Sequence, residues 1–229
     1  MKKLVVLTGA GMSAESGLRT FRDMNGLWEE YDVMEVASIE GWVKNKELIL
    51  KFYNERRKQL KDAEPNAAHY GLVELEKDFE VSIITQNVDD LHERAGSRNI
   101  LHLHGKLTEA RSSVDETLIY EVGYKEVNLG DLCEKGSQLR PNIVWFGEMV
   151  PAIPNAAELS SNADIYVVIG SSLNVYPAAG LLNYVPKDVP VFILDPNPVD
   201  THIGRDIIFI GEKAVNGISI LKDKLSKLK

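Results

Sequence analysis

The chain has 229 residues, which fits one medium domain or one domain with a small inserted lobe and can bury a core without disulfides or metal. Hydrophobic residues make up 44% and charged residues 26%, a composition that excludes disordered, collagen-like and coiled-coil proteins. The net charge of −8 disfavours non-specific binding to nucleic acid or to an anionic membrane.

The start of the chain does not resemble a secretory signal. Only residues 4–7 are apolar before a glycine-rich turn begins, which is too short for the apolar part of such a signal. No apolar stretch approaches the length of a membrane span, and the single cysteine, Cys133, forbids an internal disulfide. We therefore expect a cytoplasmic protein without membrane or nucleic-acid partners, and the oligomeric state stays open.

Five short apolar runs are expected to be strands of a parallel sheet, because continuous rather than alternating apolar residues are typical of strands buried on both faces. They are residues 4–7, 81–84, 165–169, 189–194 and 207–210. Helical patterns lie between some of them, including a helix capped by Asn66 and an amphipathic C-terminal helix over 218–228. This alternation predicts an α/β fold with a doubly wound, Rossmann-like parallel sheet.

Two segments interrupt the alternation and are predicted to form a small inserted lobe. Residues 30–65 have helical patterns and no strand, and residues 106–138 are polar with little periodicity. We expect one domain over 1–229, whose large lobe consists of residues 1–29, 66–105 and 139–229.

The first predicted strand runs into a glycine-rich turn, Gly9-Ala10-Gly11. Glycines directly after a first strand let the backbone approach a pyrophosphate at a helix N-terminus. The spacing is not the dehydrogenase fingerprint, because Gly17 comes too late for G-x-G-x-x-G. A tight strand-to-helix turn without a ligand therefore remains a competing interpretation of these residues.

Polar side chains follow the predicted strand at 81–84. Gln86, Asn87 and Asp89 come directly after it, at the end where an α/β sheet binds its ligands. A polar turn that caps the next helix is the alternative, since Asn87 or Asp89 could serve as the cap.

Histidines offer a candidate general base. An ordinary imidazole pKa of ~6.5 suits proton transfer near neutral pH, and His102 and His104 lie close together in the sequence. Periodicity alone does not choose between them. Since a lone histidine is most often a structural residue, we keep that interpretation for His69, His92 and His102.

Six motifs in order resemble those of the sirtuins, which are NAD-dependent protein-lysine deacylases. They are GAGMSAESGLRTFRD at 9–23, PNAAH at 65–69, TQNVDDLH at 85–92, HG at 104–105, LRPNIVWFGE at 139–148 and GSSLNVYPA at 170–178. In the last motif Ser171 stands where the family has threonine. The resemblance covers nearly the whole chain and identifies it as a single sirtuin-type catalytic domain.

The resemblance implies a reaction, a cofactor and a partner. NAD would be the cofactor, and acylated lysine side chains of proteins would be converted to deacylated lysine, nicotinamide and O-acyl-ADP-ribose. His104 would be the catalytic base that takes a proton from a ribose hydroxyl, and Asn87 the second catalytic residue. An NAD- or ADP-ribose-binding module without turnover and a protein ADP-ribosyltransferase are the alternatives, although retention of His104 and Asn87 argues against a module that only binds.

The same motifs imply the binding residues. Those for NAD are Gly9, Ala10, Gly11, Glu15, Phe21, Arg22, Trp28, Gln86, Asn87, Asp89, Gly170, Ser171, Ser172, Asp195, Asn197 and Ala214. Asp195 stands where the family has a ribose-binding asparagine, and a carboxylate can also accept ribose hydroxyl hydrogens. Those for the substrate peptide and acyl-lysine are Ile143, Val144, Phe146, Gly147 and Val175. Trp145 could be plain core or part of the same wall.

A Tyr-x-x-Arg pair, Tyr53 and Arg56, resembles the pair that marks the class III sirtuins, which remove succinyl and malonyl groups. Three residues apart on a helix, the two side chains are neighbours on one face, and a guanidinium with a phenol hydroxyl suits a carboxylate. Arg57 is expected to face elsewhere. The competing interpretation is a solvated basic face, because Arg56, Arg57 and Lys58 form a charge run.

The chain departs from the family where most members carry two pairs of zinc-binding cysteines. Between the HG and LRP motifs it has only Cys133, while Ser112 and Ser113 fall near the place of the first pair. One thiolate cannot make a tetrahedral site of four cysteines. We therefore predict no zinc and a zinc-module remnant over 106–138 held by hydrogen bonds and packing. Cys133 is expected to be a relic or a buried apolar residue.

Overall fold

The computed structural model describes residues 1–18, 31–199 and 204–229. Its strands are β1 (Lys3–Thr8), β2 (Glu80–Thr85), β3 (Ile100–His102), β4 (Gly105–Ser112), β5 (Ile119–Glu121), β6 (Leu139–Ile143), β7 (Ile165–Ile169), β8 (Val191–Leu194) and β9 (Ile207–Ile210). Its α-helices are α1 (Val33–Val36), α2 (Ile39–Lys44), α3 (Lys46–Asp62), α4 (Ala67–Leu75), α5 (Leu91–Ala95), α6 (Ile153–Ser161) and α7 (Ala214–Ser226), and short 3₁₀ helices span Ala10–Met12, Ala14–Ser16 and Ala178–Tyr184. The predicted NAD ligands Phe21, Arg22 and Trp28 lie outside the described residues.

The larger sheet confirms the predicted α/β fold. Six strands lie in the order β3-β2-β1-β7-β8-β9, and every pair of neighbours is parallel. Chain order reverses between β1 and β7, which makes the carboxyl ends of these two strands the switch point where such sheets bind ligands.

The smaller sheet corrects the sequence-based view of residues 106–138. β4 and β5 run through the segment whose sequence shows little periodicity, and β4 pairs antiparallel with both β5 and β6. β6 therefore belongs to this sheet, although its residues were assigned to the large lobe. The sequence pattern did not predict β4 because this strand buries polar side chains. Arg111 is only 7% exposed and forms an ion pair with Glu148. The alternation of apolar and polar residues that indicates a half-buried strand is therefore missing.

Helices cover both faces of the larger sheet. Leu4 and Val6 of β1 face a cluster formed with α4 and α7, whereas Val5 and Leu7 face a second cluster formed with α6 and the last 3₁₀ helix. A third cluster joins α2 and α3 to the smaller sheet. The turns that follow β1 and β7 thus extend from a sheet that is buried on both sides.

The helix predictions hold with small shifts. Asn66 caps α4, and its side-chain carbonyl accepts a hydrogen bond from Ala68 N, as its residue type indicated. The C-terminal helix begins earlier than expected, at Ala214. Among the described residues, no helix combines the length and the apolar character that crossing a bilayer would require.

Candidate active site

The glycine-rich turns after β1 and β7 lie in direct backbone contact. Gly11 N donates to Gly170 O at 2.9 Å, and Gly170 has φ +61°. A Cβ on Gly11 would lie 2.7 Å from Gly170 Cα, and a Cβ on Gly170 would lie 2.4 Å from Met12 N. Because no side chain fits at these two positions, bare backbone lines the switch point, which is the surface that a pyrophosphate needs.

The turn after β2 is fixed against both glycine-rich turns. Asn87 Nδ2 donates to Gly9 O at 3.0 Å and to Ser13 Oγ at 3.1 Å. Gln86 Nε2 donates to Ser171 Oγ at 3.0 Å. Five residues from three predicted motifs therefore meet through side-chain hydrogen bonds, which holds the amide of Asn87 in one orientation.

His104 lies beside this turn with one ring nitrogen committed. Its Nδ1 is 3.0 Å from Gln86 O, so Nδ1 carries the hydrogen and Nε2 is left with a lone pair. Burial lowers the pKa of His104, while the hydrogen bond to Gln86 opposes that shift. The ring is therefore neutral near pH 7 and its Nε2 can accept a proton, as a general base must.

The structure separates His104 from the chain's other described histidines. His102 has both nitrogens near oxygen atoms, Asn87 O at 3.2 Å and Glu93 Oε1 at 2.7 Å. His69 Nδ1 accepts from Asn66 N in the cap of α4. His92 is 1% exposed and its Nε2 contacts Thr8 Oγ1 at 3.1 Å.

Burial keeps two of these histidines neutral. It lowers the pKa of His69 to about 4 and holds the pKa of His92 well below its ordinary value. The structural interpretation given to His69 and His92 fits these environments. Among the four described histidines, His104 is the one whose Nε2 lone pair suits a general base.

Asp89 is a buried carboxyl between the turn and α3. It is 6% exposed, and burial raises its pKa. Hydrogen bonds from Ser13 and Leu91 N and the charge of His102 oppose this shift. Burial also lowers the pKa of Arg56, and Asp89 is among the groups that oppose that shift. The predicted acyl-binding arginine therefore lies within electrostatic reach of a predicted NAD ligand.

Tyr53 and Arg56 share a face of α3, as their spacing predicts. The Arg56 guanidinium carbon is 5.8 Å from the centre of the Tyr53 ring and 5.7 Å from that of Phe52. Tyr53 is 2% exposed, and its hydroxyl accepts from Trp145 Nε1 at 2.9 Å. Burial raises the pKa of Tyr53 despite the charge of Arg56, so the phenol keeps its own hydrogen to donate.

Only part of the charge run on α3 is solvated, which corrects the interpretation of Arg56, Arg57 and Lys58 as one basic face. Lys58 is exposed, whereas Arg57 is fully buried. Its Nε donates to Leu107 O at 2.7 Å and its Nη1 to Asn54 Oδ1 at 2.8 Å. Arg57 thus ties α3 to the smaller sheet, and burial lowers its pKa to about 10.

The predicted substrate segment begins where β6 ends. Val144 N donates to His104 O at 3.0 Å, so this segment starts next to the candidate base. Ile143 is buried, whereas Phe146 is 48% exposed and Gly147 has φ +89°. Val175 lies in the loop after β7 and is half-buried, and its carbonyl accepts from Ala179 N.

The predicted adenosine end lies beyond the glycine-rich turns. Asp195 Oδ1 accepts from Asn197 N at 2.9 Å just after β8, and burial raises the pKa of Asp195. Glu15 Oε2 accepts from Val215 N at 2.9 Å, next to Ala214 at the start of α7. The carboxylate of Glu15 is therefore used to cap a helix, which fits the preference of helix N-termini for anions.

Comparison with known proteins decides the family. The model of the "Sir2 family" matches residues 9–177. The chain belongs to this family. It is 53% identical over 228 residues to an "NAD-dependent protein deacylase" of Helicobacter pylori, with 100% of this chain and 99% of that protein covered. It is 54% identical over 233 residues to a protein of the same description from Bacteroides thetaiotaomicron, with 98% of each chain covered.

Solved Sir2 structures have the same fold. A Sir2 homologue in complex with NAD has a TM-score of 0.89 and 39% identity, covering 99% of this chain and 90% of its own. A Sir2 variant with a deacetylated p53 peptide and 3′-O-acetyl-ADP-ribose has a TM-score of 0.83 and 32% identity, covering 96% of this chain and 92% of its own. The chain is thus an NAD-dependent protein deacylase with a Rossmann-like fold that acts on acylated lysine of proteins.

The residues of this chain fit NAD. Gly9, Gly11 and Gly170 line the switch point without side chains, and the buried polar groups of Asn87 and Asp89 lie beside them. Bare backbone for the phosphates and buried hydrogen-bonding groups for a ribose are what such a dinucleotide needs.

The residues of the cysteine-poor segment do not fit zinc. Ser112 Oγ and Ser137 Oγ are 2.8 Å apart, and Cys133 Sγ lies 3.1 Å from Ser137 Oγ. Asp115 Oδ2 is paired with Lys135 Nζ at 2.6 Å, and an ammonium cannot ligate a metal. In residues 1–18, 31–199 and 204–229, no group of three or more His, Cys, Asp or Glu residues is arranged to hold a metal ion.

Three side chains outside the predicted site list contact predicted site residues. Ser13 Oγ accepts a hydrogen bond from Asn87 Nδ2. Its position inside the first motif was the signal that could have identified it. Trp145 was left between core and tunnel wall, and it is 2% exposed with its indole N–H on Tyr53. His102 was classified as structural, and nothing in its spacing indicated the contact with Asn87 O.

Proposed function

We propose that this Sir2-family deacylase removes succinyl and malonyl groups, as well as acetyl groups, from protein lysines. The observation that carries this proposal is the pairing of Tyr53 with Arg56 on α3, with Trp145 holding the tyrosine hydroxyl. A guanidinium fork and a phenol donor are complementary to a carboxylate and offer nothing comparable to a methyl group.

The surroundings of Arg56 support recognition of an acidic acyl group. Arg56 is half-buried against the Phe52 and Tyr53 rings, so a contact there is partly shielded from water and stronger than a surface ion pair. Trp145 belongs to the segment proposed to contact the acyl-lysine. One helix face therefore offers a cation and a hydrogen-bond donor to the end of an acyl chain.

We propose His104 as the base and Asn87 as the group that orients the ribose next to it. When bound, NAD would supply the ADP-ribosyl group that receives the acyl group, with nicotinamide as the leaving group and one water consumed overall. The lone pair of His104 Nε2 accepts the proton of a ribose hydroxyl, while Nδ1 keeps the ring oriented through Gln86 O. Among the other proposed NAD ligands, the glycine contacts and the switch-point topology support those in the turns after β1 and β7. We further propose a cytoplasmic location, and protein rather than nucleic acid as substrate, in line with the net charge of −8.

Arg56→Met tests the acyl preference. A charge-assisted contact in a partly desolvated pocket is worth about 1.5–3 kcal/mol, which corresponds to a roughly ten- to more than hundredfold loss in kcat/KM for succinyl-lysine peptide. Activity on acetyl-lysine peptide should change little, because the thioether stem of methionine still packs on the aromatic rings. The measurement is nicotinamide release with acetyl, succinyl and malonyl peptides.

Lys58→Met is the matched control, because Lys58 is exposed on the same helix. Arg57→Met is unsuitable, since it would remove buried hydrogen bonds. An equal loss on all peptides for Arg56→Met would show that Arg56 supports the fold or general binding, and the acidic acyl preference would have to be dropped.

A further inference from the structure

Three successive carbonyls of the turn after β2 accept hydrogen bonds from three successive residues, His102 at the end of β3 and the two residues that follow it. The carbonyls of Thr85, Gln86 and Asn87 accept, in that order, from Leu103 N at 2.9 Å, His104 Nδ1 at 3.0 Å and His102 Nδ1 at 3.2 Å. The segment after β3 thus holds the turn after β2 at every carbonyl. His102 is the outermost of these contacts and fixes the peptide group that follows Asn87.

His102 lies between two acceptors. Its Nδ1 faces the carbonyl of Asn87, and its Nε2 is 2.7 Å from Glu93 Oε1. A neutral imidazole carries one N–H and satisfies only one such oxygen, whereas an imidazolium donates to both. The second oxygen of Glu93, Oε2, is buried and has no hydrogen-bond partner in the described parts of the chain, so this carboxylate depends on a neighbouring positive charge.

Several ionisable groups lie around the pair of Glu93 and His102. Burial alone would raise the pKa of Glu93, but the hydrogen bond and charge of His102, with the charge of Lys106, hold it below its ordinary value. The buried carboxyl of Asp89 is also acted on by the charge of His102. Lys106 Nζ is 3.8 Å from Glu93 Oε1, and His92, which faces the same region, is kept neutral by burial. Two acidic side chains, Glu93 and Asp89, and one lysine, Lys106, therefore lie around His102.

We propose that Glu93 and the His102 imidazolium form a charged positioning pair that orients Asn87 for the reaction with NAD. Glu93 holds the imidazolium, the imidazolium donates to Asn87 O, and Asn87 in turn directs its amide through Gly9 O and Ser13 Oγ. Neither Glu93 nor His102 contacts substrate in this role. The inference rests on the proposed function, in which Asn87 acts on the ribose.

Nitrogen NMR of the full-length protein tests the charge of His102 without any reaction. At neutral pH, both ring nitrogens of His102 should give resonances of the protonated type in the wild-type protein, and Glu93→Gln should convert one of them to the unprotonated type. The chain has five histidines, so the His102→Asn spectrum identifies the resonance. A neutral His102 in the wild-type protein would overturn the proposal, even if deacylation is fully confirmed.

Steady-state kinetics tests the positioning. Because small misplacements of catalytic groups are costly, Glu93→Gln and His102→Asn should each lower kcat by about ten- to hundredfold with little change in KM for NAD. The double variant should be no worse than either single variant, since the two residues act as one unit. Glu64→Gln is the matched control: it neutralises an exposed carboxylate that pairs with Arg94 of α5 and should keep wild-type kinetics.

The unfolding midpoint of each variant separates positioning from loss of fold. Rates are compared at a temperature at which all variants are folded. A kcat for Glu93→Gln within twofold of the wild type, or losses in the double variant that simply multiply, would overturn the proposal. If wild-type protein releases no nicotinamide with any acyl peptide, the proposed function fails, and the NMR result still decides whether the charged pair exists.

Discussion

The two sheets of this molecule end in loops that are held together in different ways. At the carboxyl end of the larger sheet, backbone packs on backbone: a Cβ on Gly170 would lie 2.4 Å from Met12 N. At the end of β4 and in the loops that follow it and precede β6 in the smaller sheet, side chains contact each other instead: Ser112 with Ser137, and Asp115 with Lys135. The glycine of that loop, Gly136, also has a positive φ, yet nothing lies within 4 Å of a Cβ built on it.

This difference fits the proposal that the loops of the larger sheet carry the chemistry. Backbone contact at the switch point leaves no space for a side chain, and Asn87 donates a hydrogen bond to this surface at Gly9 O. The loop around Cys133 is held by one buried hydroxyl contact, between Ser112 and Ser137, and by the partly exposed ion pair of Asp115 with Lys135, which contributes little. These pairings do not fit the zinc that the resemblance would place in this loop.

The largest expected effect is at the rigid end. His104→Ala removes the proposed base and should lower deacylation by about 10²–10⁴-fold, while NAD binding measured by calorimetry persists. In the wild-type enzyme, kcat/KM should rise with pH through the pKa of His104, and since burial lowers that pKa, the acidic limb should lie below pH ~6.5. Turnover like that of the wild type in the variant would remove His104 from the mechanism.

A pair of glycine substitutions compares the two loops directly. Gly136→Ala meets only the cost of a left-handed backbone, about 1–2 kcal/mol of unfolding free energy. Gly170→Ala meets the same cost plus overpacking against Met12 N, for a total of about 2–5 kcal/mol. Urea denaturation measures both values. Equal losses would show that the two turns are equally adaptable and would remove the contrast.

The sequence alone predicted the strands of the larger sheet and the motifs that supply the candidate site. The continuous apolar runs, such as residues 165–169, predicted the buried parallel strands, and the order of the motifs brought Gly9, Asn87 and His104 together. Such patterns work because burial and tight turns restrict residue type locally. The predicted base needed the structure for its tautomer, since only the contact with Gln86 O shows which nitrogen is available.

What the sequence did not show depends on contacts between distant residues. Arg57 stands in a run of charges, but it lies four residues after Tyr53 and three before Leu60, which puts it on the buried stripe of α3. The helix period contained that signal, and the charge of the side chain obscured it. Strand β4 was hidden for a similar reason, because the partner of Arg111, Glu148, is 37 residues away. No local pattern indicates such compensation.

The smallest expected effects are at the loop that replaces the zinc site. Asp115→Asn removes the charge that pairs with Lys135, and because both side chains are partly exposed, the melting temperature should fall by no more than about 2 °C. The pKa of Asp115 is lowered to about 2, so any contribution of this carboxylate is present above its ordinary pKa and is lost as the pH falls toward 2. Ser112→Ala is the reference, since Ser112 is 1% exposed and loss of its hydroxyl should lower the free energy of unfolding by about 1–3 kcal/mol.

A chelator should change neither the melting temperature nor the activity, and elemental analysis should find no stoichiometric zinc. One zinc per chain, lost on chelation together with activity, would show that the loop binds metal and that the contrast between the two ends is wrong.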